Sequence, residues 1–330
     1  MNRNLSALAR PAIHPLEMSP QADIAARLGL ILACLVWLAA LSSGLGQNEY
    51  QPGQSYFGRS NYIEYLAGDM PVIVSAPHGG ALKPAEIFDR KRGEFVSDAH
   101  TEELARTVHR VLHDCFGHYP HVIICRLERR KLDVNRALEE GAGGDPGARQ
   151  AWQEYHGFIE TARSNVLAST GKGFYIDLHG QSNPIKRVEL GYCLSESQLS
   201  NADSVLNQLA YAERSTVRGL AQRSGLPFSE LLRGTNSFGA LLAAKGYAAV
   251  PSPAMPNPGQ GNYYFDGGYS VRRHCTANGS VMDGLQMELN LAGVRDTAAN
   301  RTKFCLALAE VLDSFFRYHF GLDLKRGTAL

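Results

Sequence analysis

The chain has 330 residues, enough for one large α/β domain or two small ones. Its 33 basic and 32 acidic residues leave a net charge of +1, so electrostatics give no reason to expect a nucleic-acid partner. The six cysteines include no CxxC pair, which argues against zinc-finger and thioredoxin-like proteins. The GxSxG, P-loop, GxGxxG and HExxH motifs are also absent.

The N-terminal segment carries an uncharged, mostly apolar run, Leu28 to Leu41, directly after Arg27. Small residues follow the run, as they do at signal-peptidase sites, and the run is short for a membrane span of about 20 residues. We therefore expect residues 1–46 to be a signal peptide or a membrane anchor. Because basic residues precede the run, the rest of the chain is predicted to be exported: secreted, periplasmic or membrane-anchored and facing outward.

Residues 47–61 are rich in Gln, Asn, Gly and Ser and are interpreted as a linker, with the catalytic domain at 62–330. Strand-like and helical patterns alternate after the linker, which predicts an α/β layered fold with a parallel or mixed sheet. The predicted strands are Val72–Ala76, Val122–Leu127, Phe174–Leu178, Val188–Leu194 and Leu285–Leu289, and the predicted helices are Ala99–Phe116, Ala151–Ala168, Asp203–Ser224, Ser237–Lys245 and Ala298–Tyr318.

Two histidines, His78 and His179, each follow an apolar, strand-like run, and each is followed directly by a glycine. Ligands bind at strand ends in open α/β sheets, histidine is the commonest metal ligand, and glycine permits close approach. The pattern therefore predicts one metal site assembled from two strand ends. Asp177 shares the sheet face of His179, so it is a candidate to orient that imidazole from behind.

A catalytic zinc site needs a third protein ligand, with water in the remaining position. The candidates are Asp98, Glu86 and Glu102, and their positions in the sequence do not separate them. Asp98 is equally suited to cap the helix that begins near it, for which Ser97 is the other candidate.

A carboxylate, Glu288, interrupts the apolar strand 285–289, where burying an unpaired charge would be costly. Glu288 should therefore face a partner, a metal or a cleft, unless the strand lies at an edge and the side chain faces solvent. Beside a metal it would be a natural general base and then general acid. The basic cluster Arg129–Arg136 is, taken alone, typical of a solvated surface. The guanidinium fork of Arg136, with Asn135 next to it, also suits bidentate capture of a substrate carboxylate.

Six short motifs occur in the order found in the N-formylglutamate amidohydrolase family, which the chain resembles from about Val72 to Arg295. They are Pro77-His78-Gly79-Gly80, Asp98 with Thr101, Arg129 with Asp133-Val134-Asn135-Arg136, Asp177-Leu178-His179-Gly180, Gly267-Gly268-Tyr269 and Leu285-Gln286-Met287-Glu288. That family is similar to the zinc carboxypeptidases and the aspartoacylase-type deacylases.

The resemblance implies a three-layer α/β/α sandwich with a mixed, largely parallel sheet of the zinc-carboxypeptidase type, and one Zn²⁺ per chain. The residue roles it implies are metal ligation by His78, Asp98 and His179, water activation by Glu288, polarisation of the scissile carbonyl by Arg129, and carboxylate binding by Asn135 and Arg136. One position departs from the carboxypeptidase pattern, because Ala81 stands where a glutamate ligand follows the first histidine by three residues. Asp98 is chosen as third ligand from its place in the family pattern.

These expectations describe a zinc-dependent hydrolase that cleaves an amide bond of an N-formyl or N-acyl amino acid, with metal-bound water as the nucleophile. A carboxypeptidase-like or cell-wall peptide hydrolase is the alternative within the same class. A non-catalytic, exported binding module on the same fold is the alternative outside it. The predicted partner is a small N-acyl amino acid or a peptide.

Overall fold

The computed structural model describes residues 50–276, 281–326 and 328–329. The predicted leader, residues 1–46, and the first three residues of the predicted linker lie outside the described residues. Among the helices of the described ranges, none has the length and apolar character needed to cross a membrane.

The centre of the described chain is an eight-stranded mixed sheet. Its strands are β1 (Ser55–Phe57), β2 (Ile63–Leu66), β3 (Val72–Ala76), β4 (His121–Cys125), β5 (Gly173–Gln181), β6 (Val188–Gly191), β7 (Ala249–Val250) and β8 (Met282–Asn290), in the order β1-β2-β4-β3-β5-β8-β6-β7. The four central strands, β4, β3, β5 and β8, run parallel to one another, while β2 and β6 flank them antiparallel. Short strands β9 (Leu322–Asp323) and β10 (Thr328–Ala329) form a separate ribbon.

Helices connect the strands and cover the sheet. They are α1 (Thr101–Phe116), α2 (Leu138–Ala142), α3 (Pro146–Thr170), α4 (Glu196–Leu199), α5 (Asp203–Leu206), α6 (Leu209–Arg214), α7 (Arg218–Ser224), α8 (Phe228–Arg233), α9 (Phe238–Ala244), α10 (Tyr269–Val271) and α11 (Ala298–Phe315). A 3₁₀ turn lies at Arg59–Asn61, and π-helical turns lie at Arg272–Thr276, Leu291–Arg295 and Phe316–Phe320.

Two hydrophobic cores lie on opposite faces of the sheet. Alternate residues of β3 separate between them: Val72 and Val74 pack with α1 and α11, whereas Ile73 packs with α3. Since successive side chains of a strand point to opposite faces, this division produces three layers, helix, sheet and helix. The predicted α/β/α fold with a mixed, largely parallel sheet is confirmed.

One predicted helix, Asp203–Ser224, is instead three short helices, α5, α6 and α7. The break before α7 lies at Thr216, whose backbone N–H donates to Tyr192 O while its hydroxyl donates to Gly284 O on β8. The carbonyl of Thr216 also accepts the N–H of Gly284 at 3.0 Å. Since both backbone groups of Thr216 are used in these contacts, this residue cannot continue the i to i−4 hydrogen bonds of a helix. The helical pattern of the sequence therefore gives way to tertiary pairing here.

Residues 50–61, the described part of the stretch interpreted as a linker, belong to the folded domain. Ser55–Phe57 pairs antiparallel with β2, placing Tyr56 opposite Tyr65. The ring of Tyr50 packs edge-on against these two tyrosines, with centroid distances of 4.7 and 5.1 Å. Tyr50 and Tyr56 thus pack against Tyr65 of β2, and this packing makes an edge strand of a segment whose polar residues suggest a loop.

Candidate metal centre

The ends of β3 and β5 bring His78 and His179 together. These strands are parallel neighbours, so their C-terminal ends meet at one edge of the sheet. The two imidazole centroids lie 4.8 Å apart, and both side chains are buried. The predicted meeting of the two strand-end histidines is found in the structure.

Asp98 completes a cluster with the two histidines. Its Oδ2 lies 3.1 Å from His179 Nδ1 and 3.5 Å from His78 Nδ1, and it accepts the backbone N–H of Gly180 at 3.0 Å. The candidate ligand atoms of the three residues all lie within 4.8 Å of one another. The expectation that Ser97 or Asp98 caps α1 is wrong, because His100 occupies the cap position and the Asp98 carboxylate turns into the cluster.

The other two candidates for the third ligand lie outside this cluster. Glu86 is exposed and accepts a hydrogen bond from the hydroxyl of Tyr62. Glu102 forms an ion pair with Arg106 at 2.8 Å on the first turn and a half of α1. Among the described residues, the cluster therefore selects Asp98, as the family pattern implies.

A carboxylate stands behind each histidine. His78 Nε2 donates to Asp133 Oδ1 at 2.8 Å, and His179 Nε2 donates to Asp177 Oδ2 at 3.0 Å. Each contact fixes the ring so that Nδ1 points toward Asp98, as in carboxylate–histidine–metal arrangements. Asp177 lies in the orienting position that was predicted for it. The orienting role of Asp133 was not predicted, because this residue lies within a basic stretch of sequence.

The residues present fit a divalent metal ion. His78 Nδ1 is buried and has no hydrogen-bond partner, although it points toward Asp98 and His179. Two imidazole nitrogens and one carboxylate are the ligand set of many catalytic zinc sites and also of non-haem iron sites. The cluster can therefore hold a metal ion. Its donor atoms favour a metal that binds imidazole and carboxylate ligands, such as zinc or iron.

The charges around the cluster favour a cation between its members. Burial opposes ionisation of Asp98, but the neighbouring imidazoles of His179 and His78 hold its pKa well below the ordinary value. Burial would lower the pKa of His179, but the carboxylates of Asp177 and Asp98 raise it well above the ordinary value. Positive charge is therefore stabilised where the two rings face Asp98.

Glu288 lies beside the cluster on β8. The register of β5 and β8 pairs it with His179, and its Oε1 is 4.0 Å from His179 Nδ1. Gln286, two residues earlier on the same face, donates to the same oxygen at 2.8 Å. Burial raises the pKa of Glu288 to about 7, which suits a group that exchanges protons near neutral pH.

The segment from Asp133 to Arg136 and Arg129 border the cluster. Arg129 donates from Nε to Asp133 Oδ2 at 3.0 Å, and its Nη1 lies 3.9 Å from Asp98 Oδ1. Asn135 Nδ2 lies 3.2 Å from His179 Nε2, while its Oδ1 accepts the Ser270 N–H at 2.8 Å.

Arg136 is the most solvent-accessible of the predicted site residues. Its Nη1 donates to the backbone carbonyl of Asn135 at 3.0 Å, and its Nε is 3.2 Å from Glu140 Oε1. With 36% of its side chain exposed, it can reorient toward a ligand. All seven predicted site residues line one cavity of about 260 Å³.

Residues Tyr264 to Gly268 form one wall of this cavity. The sequence did not predict this wall, although Gly267 and Gly268 belong to one of the family motifs. Glu189, on β6, and Arg187, directly before β6, hold the segment that leads into this wall. Glu189 Oε2 accepts the N–H of Phe265 at 3.1 Å. Arg187 donates to the backbone carbonyls of Pro258 and Tyr263 at 2.9 and 3.2 Å.

A buried arginine, Arg295, lies directly behind Gly180 and was also missed. It donates to the backbone carbonyls of Leu289 and Ala99. A Cβ atom at position 180 would lie 2.4 Å from its Cζ. The glycine after His179 is therefore needed to admit this guanidinium, whose charge acts on Asp98 and Glu288. No local sequence signal links residues 115 positions apart.

No protein-family model matches the chain, and no curated protein matches it. Among solved structures, the chain is similar to N-formylglutamate amidohydrolase from Ralstonia eutropha, at 15% identity and a TM-score of 0.45, over 78% of this chain and 95% of that chain. It is similar to a gene product of Agrobacterium tumefaciens at 13% identity and a TM-score of 0.44, with the same coverage. A candidate metallopeptidase from Shewanella amazonensis follows at 11% identity and a TM-score of 0.33, over 81% and 86%. At these values the likeness concerns the fold alone.

Proposed function

We propose that this protein is a metal-dependent hydrolase that cleaves the amide bond of an N-formyl or N-acyl amino acid, with zinc as its metal. The observation that supports the proposal is the convergence of His78, Asp98 and His179 beside a buried carboxylate, Glu288, in one cavity. Ligands, a proton acceptor and room for a small substrate thus stand together.

A divalent ion held by this cluster would supply Lewis-acid chemistry and lower the pKa of water to about 7. Glu288 is placed to take the proton of the attacking water, since its carboxylate faces the same point as the histidine nitrogens. The same carboxyl group can then deliver the proton to the departing amine nitrogen, as acid–base catalysis requires. The net reaction consumes one water and yields a carboxylate, or formate, and a free amine.

The arginines indicate which substrates the cavity would accept. Arg129 holds a charged N–H group near Asp98, where it can donate to the oxygen of a scissile carbonyl. Arg136, at the edge of the cavity, offers the planar fork that suits a carboxylate. A cavity of about 260 Å³ lies below the usual 300–1,000 Å³ of drug-sized ligand sites, which favours a small N-acyl amino acid over an extended peptide.

Metal analysis combined with a substrate panel tests this function. We expect about one zinc per chain, hydrolysis of at least one N-formyl or N-acetyl amino acid, loss of activity with a chelator and recovery with zinc. The panel should include acidic and neutral amino acids and short peptides with a free carboxyl terminus. Asp98→Asn should weaken zinc binding.

Two outcomes would overturn the proposal. Protein that purifies free of metal and cannot be loaded with zinc would remove the metal centre. Zinc-loaded protein that binds N-acyl amino acids but never turns them over would indicate the non-catalytic binding module instead. Preferred cleavage of peptides would move the substrate to the carboxypeptidase-like class while leaving the chemistry in place.

We also propose export, which rests on the apolar run Leu28–Leu41 and the small residues after it. Expression of the full chain with a C-terminal tag, followed by N-terminal sequencing of the mature protein, tests this. A start after residue 42 would support cleavage. Full-length protein in the cytoplasmic fraction would contradict export without affecting the proposed chemistry.

A further inference from the structure

One face of helix α3 contacts the backbone of the segment Asp133–Arg136, two of whose residues, Asn135 and Arg136, line the cavity of the candidate site. Trp152 Nε1 donates to Arg136 O at 2.9 Å, and His156 Nε2 lies 3.0 Å from Val134 O. Because a carbonyl can only accept, His156 Nε2 must carry a proton and donate. Both side chains are buried, and their spacing of four residues puts them on the same side of the helix.

A second layer of side chains orients His156. Its Nδ1 lies 2.8 Å from Nε2 of His274, and His274 Nδ1 lies 2.9 Å from Glu160 Oε1. The His156 ring is therefore held at both nitrogens, by Val134 O at Nε2 and by His274 at Nδ1, and it cannot rotate freely. Glu160 lies one turn beyond His156 on α3, so the chain of contacts closes on the helix from which it starts.

The Asp133–Arg136 segment contacts both histidines of the candidate site. Asp133 orients His78, and its Oδ1 also accepts the N–H of Asn135 at 3.0 Å. Asn135 in turn contacts His179, and Arg136 follows it at the cavity edge. Residues 133–136 belong to no strand or helix, and the Asp133 N–H donates to Gly141 O at 3.0 Å. The carbonyls of Val134 and Arg136 and the N–H of Asn135 are instead bonded by side chains, so these side chains help to fix the geometry of the segment.

We propose that Trp152 and His156 are positioning residues, which fix the Asp133–Arg136 segment for substrate binding, and that His274 and Glu160 orient His156. The proposal rests on the proposed function for the catalytic readout, but the position of the segment is a property of the protein whether or not it is an enzyme. A displacement of about 1 Å at a substrate-positioning group is enough to reduce a rate 100-fold.

The main test compares His156→Phe with His156→Gln in the zinc-loaded, full-length chain. Phenylalanine fills the volume but removes the donor to Val134 O, whereas glutamine keeps an N–H donor. We expect His156→Phe to lower kcat/KM for the best substrate of the panel about 10- to 100-fold, mainly through KM, and His156→Gln to recover part of it. Trp152→Phe should act in the same direction.

His319→Phe is the matched control. His319 is also a buried histidine whose Nε2 donates to a backbone carbonyl, that of Asn236 at 2.9 Å, and it is not among the residues lining the cavity. The His319→Phe variant should lose about as much thermal stability as His156→Phe, while its KM stays at the wild-type value. If His319→Phe and His156→Phe change KM equally, the role of His156 is merely structural and the proposal fails.

Hydrogen–deuterium exchange separates this proposal from the proposed function. Peptides covering residues 128–140 should exchange faster in His156→Phe and Trp152→Phe than in the wild type and in His319→Phe. Unchanged exchange in this region would overturn the positioning role even if the enzyme is active. Faster exchange in a protein without turnover would support the positioning role while the proposed function fails.

Discussion

His179 and Glu288 lie opposite each other on the parallel strands β5 and β8, with Nδ1 of the histidine 4.0 Å from Oε1 of the glutamate. The pairing belongs to an uninterrupted register that runs from Gly173 and Met282 to Gln181 and Asn290. The distance between a candidate metal ligand and the candidate proton acceptor is therefore set by the sheet, which deforms less than a loop.

Glu288→Gln should separate metal binding from turnover. The amide keeps the size of the side chain but cannot accept a proton, so we expect kcat to fall by a factor of about 10² to 10⁴. Zinc content, measured on the same preparation by elemental analysis, should stay near the wild-type value. Glu103→Gln, on the exposed side of α1, is the control and should leave the rate unchanged. A Glu288→Gln rate within three-fold of wild type would exclude this glutamate as the base.

Asp133→Asn and Asp177→Asn should each weaken zinc binding about 10- to 100-fold, because each removes the charge that orients one histidine. Competition with a chromophoric chelator measures the change. Asp283→Asn is a suitable control, since Asp283 is equally buried but pairs with Arg223 away from the cluster. Equal zinc affinities in all three variants would show that the aspartates only fill space.

Gly80→Ala should destabilise the protein by about 1–3 kcal/mol, because an added methyl overpacks this site. Its Cβ would lie 2.2 Å from the backbone carbonyl carbon of Arg126, next to the bridge between Leu82 and Leu127. Gly157→Ala, inside α3 with no atom within 4 Å of the new Cβ, should instead stabilise by about 0.5–1 kcal/mol. Denaturant unfolding of the two variants checks the opposite signs, and equal effects would contradict the close approach at Gly80.

His121 should make the fold sensitive to acid. Its buried Nδ1 faces two donors, the Tyr65 hydroxyl at 2.8 Å and the Gly68 N–H at 3.2 Å, and burial lowers the pKa to about 4. Since this pKa lies below the ordinary 6.5, the unfolded chain binds the proton more readily. The buried, neutral His121 therefore contributes about 2–3 kcal/mol to the free energy of unfolding above pH 6.5, and this contribution is lost as the pH falls to 4.

Urea unfolding at intervals from pH 7.5 to 4 measures this dependence. His121→Gln keeps an acceptor without a titrating group, so its free energy of unfolding should fall less over the same range. His100→Gln, an exposed histidine at the start of α1, should keep the wild-type profile. Parallel curves for wild type and His121→Gln would assign the acid sensitivity to other groups.

The sequence predicts the central strands of this fold well, because each is an apolar run between turn residues. Val72–Ala76 is found with the predicted bounds, and the helix around residues 101–116 differs by two residues at its start. The prediction fails where tertiary hydrogen bonds override local preference, as at Thr216, which bonds to Tyr192 and Gly284.

The candidate metal cluster can be predicted only in part from the sequence. His78 and His179 are recognisable because each ends a strand, and parallel neighbours share an edge. Asp98 comes from a loop whose path depends on the whole domain, so Glu86 and Glu102 remain equal candidates until the chain is folded. Arg295 carries no local signal, and the motif that contains Asp133 does not indicate its partner, His78, which is 55 residues away.

The segment held by Arg187 and Glu189 gives the cavity a wall that is built separately from the metal ligands. Tyr264 to Gly268 come from a connection after β7, whereas the ligands come from β3, β5 and the loop before α1. Loops tolerate insertions and substitutions that strands do not. Under the proposed function, related chains can therefore diverge in substrate preference through this one connection while the candidate metal ligands stay the same.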